Sequence, residues 1–238
     1  LGIAKAALSA GAKIYENSPA TSYKVLDDHV RVNTKNGSIK ADRIVLACNG
    51  YLENLEKSLT SKILPMNNYI VATKPLDDET VQKINPKDIA FADSRFVINY
   101  FRMSADKRLL FGGGENYSQE LSKNIVPIVT RPLEKIYPFL KGIKIDYAWG
   151  GKLAITMNRL PFFASLHNEK VISAQGYSGQ GVALASYSGK IVSEKITGTG
   201  EVFDIMSKIP RPSFPGGRFL RNPSMKIGML YYSLLDRI

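Results

Sequence analysis

The stretch that most constrains this chain is residues 174–182, AQGYSGQGV, in which three glycines fall within six residues. It lies between a short apolar run that predicts a strand (Val171, Ile172, Ala174) and an apolar periodicity that predicts a helix over about residues 179–197. Glycine has no Cβ, so it permits sharp turns and close approach of a ligand. A helix N-terminus adds unpaired N–H groups and the positive end of a dipole. The segment therefore predicts either a tight strand-to-helix turn or a contact site for a phosphate or an electron-rich ring carbonyl.

Composition limits the class of protein. The chain has 238 residues, of which 44% are hydrophobic and 22% charged, which is typical of a soluble globular protein. Cys48 is the only cysteine; this excludes a disulfide framework within the chain and indicates a cytoplasmic location. No apolar run approaches the roughly 20 residues that a membrane span requires. The net charge of +11 raises the question of nucleic acid, but the basic residues are dispersed, so we expect no nucleic-acid partner.

The first quarter of the chain has an α/β order of elements. Residues 1–10 have the apolar spacing of a helix, and short strands are predicted over residues 13–15 and from about residue 20. Asn36-Gly37, flanked by alternating side chains, predicts a hairpin. The continuous apolar run over residues 44–47 predicts a strand buried on both faces.

From residue 65 the pattern changes. Long segments rich in Tyr, Phe, Val and Ile predict an antiparallel sheet, which a helix over residues 121–137 and a strand over residues 145–149 complete. Near the end, four prolines predict an extended tail from Phe203 onward, closed by an amphipathic helix that docks on the body or lies on a membrane surface.

The predicted fold class is therefore α/β (α+β). A nucleotide-binding-type layer is formed by residues 1–64 and 151–200, an inserted antiparallel sheet by residues 65–150, and a wrapping tail by residues 201–238.

Few residues offer acid–base, nucleophilic or metal chemistry. His29 and His167 are the only histidines and lie in polar, loop-like surroundings, so no zinc-like ligand set can be assembled. The chain has no G-x-S-x-G elbow. Cys48 follows an apolar strand and is better explained as a small core residue than as a nucleophile. These absences favour chemistry performed by a bound organic cofactor.

Five segments, in order, carry a resemblance to a known family: RIVLACNGYLENLE, ILPMNNYIVATKPL, YFRMSADKRLLFGGGE, IDYAWGGKLAITMNRLP and AQGYSGQGVALAS. They resemble the C-terminal half of the D-amino-acid-oxidase-like family of FAD-dependent oxidoreductases, within it the gamma-glutamylputrescine oxidoreductase branch. The resemblance implies FAD as cofactor. It also places the FAD diphosphate on an N-terminal G-x-G-x-x-G turn, which these residues do not contain. We therefore expect a truncated start, and a fragment that alone binds FAD weakly or not at all and is inactive.

The resemblance also assigns cofactor contacts. The glycine-rich turn would face the pyrimidine carbonyl of the flavin, where a helix N-terminus stabilises the negative charge of the reduced ring. The small-residue turn after residue 46 would pass the diphosphate and ribose, and a backbone contact to adenine falls at residue 20. The implied cofactor-binding residues are Ala20, Ala47, Cys48, Asn49, Gly50, Gly176, Tyr177, Ser178, Gly179, Gln180, Gly181 and Val182.

Substrate contacts are implied on the inserted sheet and on the loop that returns to the flavin. Each side chain also has a structural alternative, because aromatic residues in such sheets commonly pack in the core. Where many amino-acid oxidases of the family hold a carboxylate-binding Arg, this chain reads Lys152-Leu153-Ala154. This favours an amine such as a polyamine conjugate over a plain α-amino acid. The implied substrate-binding residues are Tyr69, Tyr100, Arg102, Trp149, Asn158 and Arg159.

The resemblance implies oxidation of a small-molecule amine by hydride transfer to flavin, giving an imine that hydrolyses to an aldehyde and ammonia. Oxygen or another acceptor then reoxidises the flavin. Two alternatives stay open: an enzyme like sarcosine, glycine or D-amino-acid oxidases, and a non-catalytic FAD-fold subunit or tRNA-modifying partner. The sequence identifies no catalytic acid or base and no oligomeric state.

Overall fold

The computed structural model describes residues 2–95, 98–113 and 120–235 of the chain, in a mixed α/β fold. Its α-helices are α1 (Gly2–Ser9), α2 (Lys57–Thr60), α3 (Asp78–Ile84), α4 (Val126–Ile136), α5 (Gly181–Thr197), α6 (Glu201–Lys208) and α7 (Gly217–Leu235). Its strands are β1 (Ser22–Val25), β2 (Val30–Asn33), β3 (Ser38–Ala41), β4 (Ile44–Leu46), β5 (Leu64–Thr73), β6 (Phe91–Ala92), β7 (Tyr100–Met103), β8 (Leu109–Gly112), β9 (Ile145–Ile155), β10 (Phe162–Leu166) and β11 (Val171–Gln175). Short 3-10 turns span Asn49–Tyr51 and Pro138–Leu140.

Strands β1, β2 and β3 form a small antiparallel sheet. Asn33 pairs with Ser38 across the turn that holds Asn36-Gly37, which confirms the predicted hairpin. The strand predicted over residues 13–15 is wrong. Those residues are exposed, and no described strand pairs with them. Their strand-like composition is therefore not sufficient to form a strand.

A second sheet has the order β10-β11-β4, with β11 parallel to β4 and antiparallel to β10. The central strand β11 is buried along its whole length. The expectation that residues 44–47 are buried on both faces is wrong, because Val45 is 40% exposed. Strand β4 is the edge strand of the sheet in the described part of the chain. Its Val45 lines a groove that is described below.

The inserted antiparallel sheet is confirmed and has the order β6-β7-β8-β5-β9. Helix α4 covers one of its faces, where Tyr69, Val71 and Phe111 pack with Val129 and Leu133 in a fully buried core. The helix begins five residues later than the predicted residue 121, with a proline in its first turn, a position that suits proline.

Strand β9 is longer than predicted. It continues past residue 149, through the proposed domain boundary at residue 150, to Ile155. Ten of its residues pair with β5, and this ladder overrides the low strand propensity of Gly150-Gly151. One continuous strand therefore runs from the inserted sheet to the turn that leads into β10 of the second sheet.

The prediction of extended chain from Phe203 up to the terminal helix is wrong at its start. Helix α6 forms across Phe203, whose buried ring meets Phe163 edge-to-face with centroids 5.6 Å apart. The burial of this face explains the helix, and Pro210, Pro212 and Pro215 lie in the connection that follows. Helix α7 contains Pro223 and includes the predicted terminal helix as far as residue 235; residues 236–238 lie outside the described residues. Over the described ranges, no helix combines the length and apolar character needed to cross a bilayer.

Candidate functional site

Two turns meet at one edge of the second sheet. Strands β4 and β11 are parallel neighbours, so their carboxyl ends lie side by side. The turn after β4 begins at Ala47, and the glycine-rich turn after β11 begins at Gly176. The backbone N–H of Gly176 donates a hydrogen bond to Asn49 Oδ1 at 3.1 Å. The structure therefore brings together the two segments that the resemblance assigns to the cofactor, and ligands of open α/β sheets bind at such an edge.

The glycine-rich turn adopts a backbone conformation that favours glycine. Gly176, Ser178 and Gly179 have φ values of 75°, 51° and 97°, which is the left-handed region. A Cβ on Gly176 would lie 2.7 Å from Thr156 Cγ2. Ser178 N donates to the carbonyl of Ala154 at 2.9 Å. The turn is thus bound to the end of β9 and held in a fixed shape.

The small-residue turn is bound to the same strand. A Cβ on Gly50 would lie 2.6 Å from the carbonyl oxygen of Lys152, so only glycine fits there. The phenol oxygen of Tyr51 accepts a hydrogen bond from Lys152 N at 3.0 Å. Burial raises the pKa of the Cys48 thiol, which keeps it protonated and unsuited to nucleophilic attack.

Helix α5 begins directly after the glycine-rich turn and has no side-chain hydrogen bond at its N-cap, Gln180. Its first N–H groups are therefore available to an electron-rich partner. Val182 is 97% exposed at this end. Beside it runs a groove of about 330 Å³ between α5, β4 and β11. Small side chains line much of this groove, among them Ala47, Ala174, Gly181, Ala185 and Gly189.

The residues at this edge fit FAD. The two turns present backbone rather than bulky side chains, the helix N-terminus suits an electron-rich ring carbonyl, and the groove has apolar walls. Tyr177 lies beneath the turn, where its hydroxyl donates to the carbonyl of Ala174 at 3.0 Å and burial raises its pKa. Its role in the turn is therefore to support the backbone.

The inserted sheet has one open face that carries several of the predicted substrate residues. The strand register aligns Tyr100, Gly112, Ile70 and Trp149 in one row across β7, β8, β5 and β9. Directly paired residues project to the same face, and Arg102 joins them two positions beyond Tyr100. Helix α4 covers the opposite face. Tyr100, Arg102 and Trp149 therefore share the uncovered face.

Tyr100 lies flat across this face. Its ring fills the space above Gly112, where a Cβ would lie 2.1 Å from the ring carbon Cζ. Its hydroxyl donates to Asn68 Oδ1 at 2.5 Å. Trp149 is 45% exposed, and Arg102 is also exposed, with Nε donating to the carbonyl of Met103 at 3.2 Å.

Three predicted substrate residues lie elsewhere. Tyr69 is fully buried on the α4 side of the sheet, where its hydroxyl accepts a hydrogen bond from Ser122 N at 2.9 Å. Asn158 lies in the β9–β10 turn and donates to the carbonyl of Pro210 at 3.0 Å. Its neighbour Arg159 adopts a left-handed φ of 60° in that turn. Ala20, predicted to contact adenine, lies exposed just before β1.

Sequence reasoning missed Asn68, Tyr51 and Thr156. Asn68 fixes Tyr100, Tyr51 binds the backbone of β9, and Thr156 packs against the glycine-rich turn. A strand register would have found Asn68, because it lies on the same face as Ile70, two residues away. The other two contacts join segments that are distant in sequence, so no local pattern signals them.

Comparisons with known proteins agree with this arrangement. A family model described as "DAO: FAD dependent oxidoreductase" matches residues 1–195. The chain belongs to this family. Its cofactor is FAD.

Two curated relatives match the whole chain. Probable oxidoreductase OrdL from Rhizobium meliloti (strain 1021) is 39% identical over 237 residues, which is 100% of this chain and 55% of that protein. Gamma-glutamylputrescine oxidoreductase from Escherichia coli (strain K12) is 35% identical over 239 residues, covering 100% of this chain and 56% of the relative. The chain therefore spans about half the length of these DAO-family relatives.

Solved structures show the same fold. Glycine oxidase from Bacillus cereus ATCC 14579 matches with a TM-score of 0.68 at 17% identity, over 88% of this chain and 58% of that one. L-proline dehydrogenase from P. horikoshii matches with a TM-score of 0.64 at 23% identity, over 87% of this chain and 55% of that one. At these identities the likeness concerns the fold alone.

Proposed function

We propose that this DAO-family chain is part of an enzyme that oxidises a primary amine carrying a distal acyl or carboxylate group, of the gamma-glutamylputrescine type. One observation carries the proposal. Strand β9 runs from the open face of the inserted sheet to the glycine-rich turn, so Trp149 and the carbonyl that binds Ser178 belong to the same element. The 35% identity to gamma-glutamylputrescine oxidoreductase supports this choice of substrate.

The residues at the edge of the second sheet fit the cofactor. The two turns and the first N–H groups of α5 would hold the ring end of FAD. When bound, FAD supplies the two-electron oxidation that converts an amine to an imine, which water hydrolyses to an aldehyde and ammonia, with oxygen or another acceptor completing the cycle. The helix N-terminus stabilises negative charge near it and needs no proton transfer to do so.

Side chains on the open face fit a long, polar amine. The bond to Asn68 fixes the phenol oxygen of Tyr100, which can accept a hydrogen bond from an amine N–H. The guanidinium of Arg102, an exposed residue, can pair with a carboxylate at the far end of the substrate. Trp149 offers an apolar wall for the methylene chain between them.

The position of Lys152 supports an amine over an α-amino acid. Lys152 pairs with Asn67, which places it on the side of the sheet opposite Trp149. Its Nζ lies 3.5 Å from Glu53 Oε1 and 5.7 Å from the centre of the Tyr51 ring. Lys152, the cation in the segment where the resemblance places the carboxylate-binding Arg of many amino-acid oxidases, is therefore bound away from the open face.

Turnover of the complete natural protein tests the proposal. Gamma-glutamylputrescine, putrescine, sarcosine and a D-amino acid should be compared by kcat/KM, with aldehyde and ammonia quantified. We expect gamma-glutamylputrescine to give the highest kcat/KM and the two products in equal amounts. A higher kcat/KM for sarcosine or the D-amino acid would replace the proposal with an amino-acid oxidase, and no turnover of any amine would favour a non-catalytic subunit.

A further inference from the structure

A basic cleft lies apart from the residues assigned to FAD and to the amine. It has a volume of about 410 Å³ and opens between the end of α2, strand β10 and the segment that follows α6. Lys62, Lys208 and Arg211 line it, together with two serines and several apolar residues such as Phe162. No Asp or Glu is among its described lining residues, so the cleft combines three positive charges with an apolar floor.

Two of these cations converge on one aromatic ring. Lys62 Nζ lies 6.0 Å from the centroid of Phe162, and Arg211 Cζ lies 5.9 Å from the same centroid. The ring attracts each cation. In the described part of the chain, no carboxylate oxygen lies within 4.0 Å of the charged nitrogens of Lys62, Lys208 or Arg211. An anion bound in the cleft would balance positive charge that no described carboxylate neutralises.

Hydrogen bonds to backbone carbonyls hold the guanidinium of Arg211 in a fixed position. Its guanidinium donates to the carbonyls of Pro161 and Ile209, each at 2.6 Å, and more weakly to those of Met206 and Pro210. These acceptors are neutral, so they orient the cation without cancelling its charge. Burial lowers the pKa of Arg211, as expected for a positive charge that lacks an ionic partner. Its Nε is buried and has no hydrogen-bond partner among the described residues.

We propose that this cleft is a binding site for a small organic anion, a carboxylate or phosphate monoester that carries an apolar, planar body. The anionic group would bind Lys62 and Lys208, the positive charge of Arg211 would add attraction, and the body would contact the apolar residues that line the cleft. The site is separate from amine oxidation, because none of the residues assigned to FAD or to the amine lines it.

Isothermal titration of the FAD-loaded complete protein at constant ionic strength tests this site. The probes are phenyl phosphate, phenylacetate, inorganic phosphate and benzyl alcohol. We expect one saturable site per chain for phenyl phosphate, phenylacetate or both, with the tighter probe identifying the preferred anionic group. Inorganic phosphate and benzyl alcohol should bind at least roughly tenfold more weakly, because each lacks one half of the recognised ligand. Inorganic phosphate binding as tightly as the aryl probes would overturn the role of the apolar floor.

Charge-neutralising variants assign the binding to the cleft. Lys62→Gln and Lys208→Gln should each weaken the aryl anion by roughly three- to fivefold, and the double variant by roughly tenfold. Lys57→Gln is the matched control, because it removes an exposed lysine of α2 that does not line the cleft. No saturable binding, or equal affinity in the wild type and the double variant, would overturn the proposal.

Discussion

At the scale of single residues, three glycines are required for three different reasons. Gly176 has a left-handed backbone and contacts Thr156, Gly50 lies against the backbone of β9, and Gly112 leaves space for the ring of Tyr100. The sequence indicated Gly176 through the spacing of the glycine-rich turn, and the resemblance indicated Gly50 as a cofactor contact, but the packing reasons for Gly50 and Gly112 were not predicted. The other two depend on contacts between distant strands, so spacing could not reveal them.

Gly176→Ala should destabilise the protein and loosen the flavin. A left-handed alanine costs about 1–2 kcal/mol, and its Cβ would lie 2.7 Å from Thr156 Cγ2, which adds an overpacking cost of roughly 1–3 kcal/mol. Gly37→Ala is the control, because nothing lies within 4 Å of its added Cβ. Urea unfolding should show the difference. An unchanged free energy of unfolding for Gly176→Ala would mean that the turn is not held as described.

Tyr100→Phe and Tyr69→Phe should separate substrate binding from packing. Tyr100→Phe removes a hydroxyl on the open face and should lower kcat/KM for the amine roughly tenfold, the effect of one lost polar contact. Tyr69→Phe removes the acceptor for Ser122 N in the core and should cost about 1 kcal/mol of stability while kcat/KM stays unchanged. Steady-state kinetics and urea unfolding of both variants check this pair. The reverse pattern would place the amine on the other face of the sheet.

At the scale of elements, β9 organises the candidate site. Its first half contributes side chains to the open face. Its last residues bind both cofactor turns through the backbone of Lys152 and Ala154. Residues 145–149 could be predicted as a strand from their composition. The extension to Ile155 could not, because glycines interrupt the pattern and only pairing with β5 stabilises a strand there.

Ion pairs at the end of the inserted sheet away from the cofactor turns lead to a prediction about the pH dependence of stability. Arg108 donates to Asp146 Oδ2 and Asp106 Oδ2, each at 2.6 Å, and to the carbonyl of Thr73 at 2.9 Å. The hydrogen bond from Arg108 lowers the pKa of Asp146 below its usual 3.8, and hydrogen bonds from Ser104 and Arg108 lower that of Asp106. The stabilisation is complete above the unfolded-state pKa and disappears as pH falls through the lower folded-state pKa.

Arg108→Gln should therefore lower the free energy of unfolding at pH 7 and have a much smaller effect near pH 2. Denaturant unfolding at several pH values measures this difference. Lys107→Gln, which removes an exposed pair with Asp78 at 2.8 Å, is the control and should change stability little at either pH. An Arg108→Gln effect that is the same at both pH values would show that the ion pairs contribute nothing.

At the scale of the whole molecule, the main sheets were predictable, but the extents of several elements and the presence of α6 were not. The hairpin, the inserted antiparallel sheet and the strand–turn–helix around Gly176 all follow from local patterns. The prolines after Phe203 predicted extended chain there. Helix α6 forms instead, because burial of one of its faces stabilises it. Residues 44–47 were expected to be buried on both faces, but β4 is an edge strand with a groove beside it in the described chain.

The central claim is that the glycine-rich turn and the open face of the inserted sheet form one site for amine oxidation on FAD. The most direct measurement mixes the complete, FAD-loaded protein with gamma-glutamylputrescine without oxygen and follows the absorbance of the oxidised flavin. The account predicts complete bleaching, slowed by deuterium on the amine-bearing carbon and by Tyr100→Phe. An oxidised spectrum that persists with this and every other amine would contradict it.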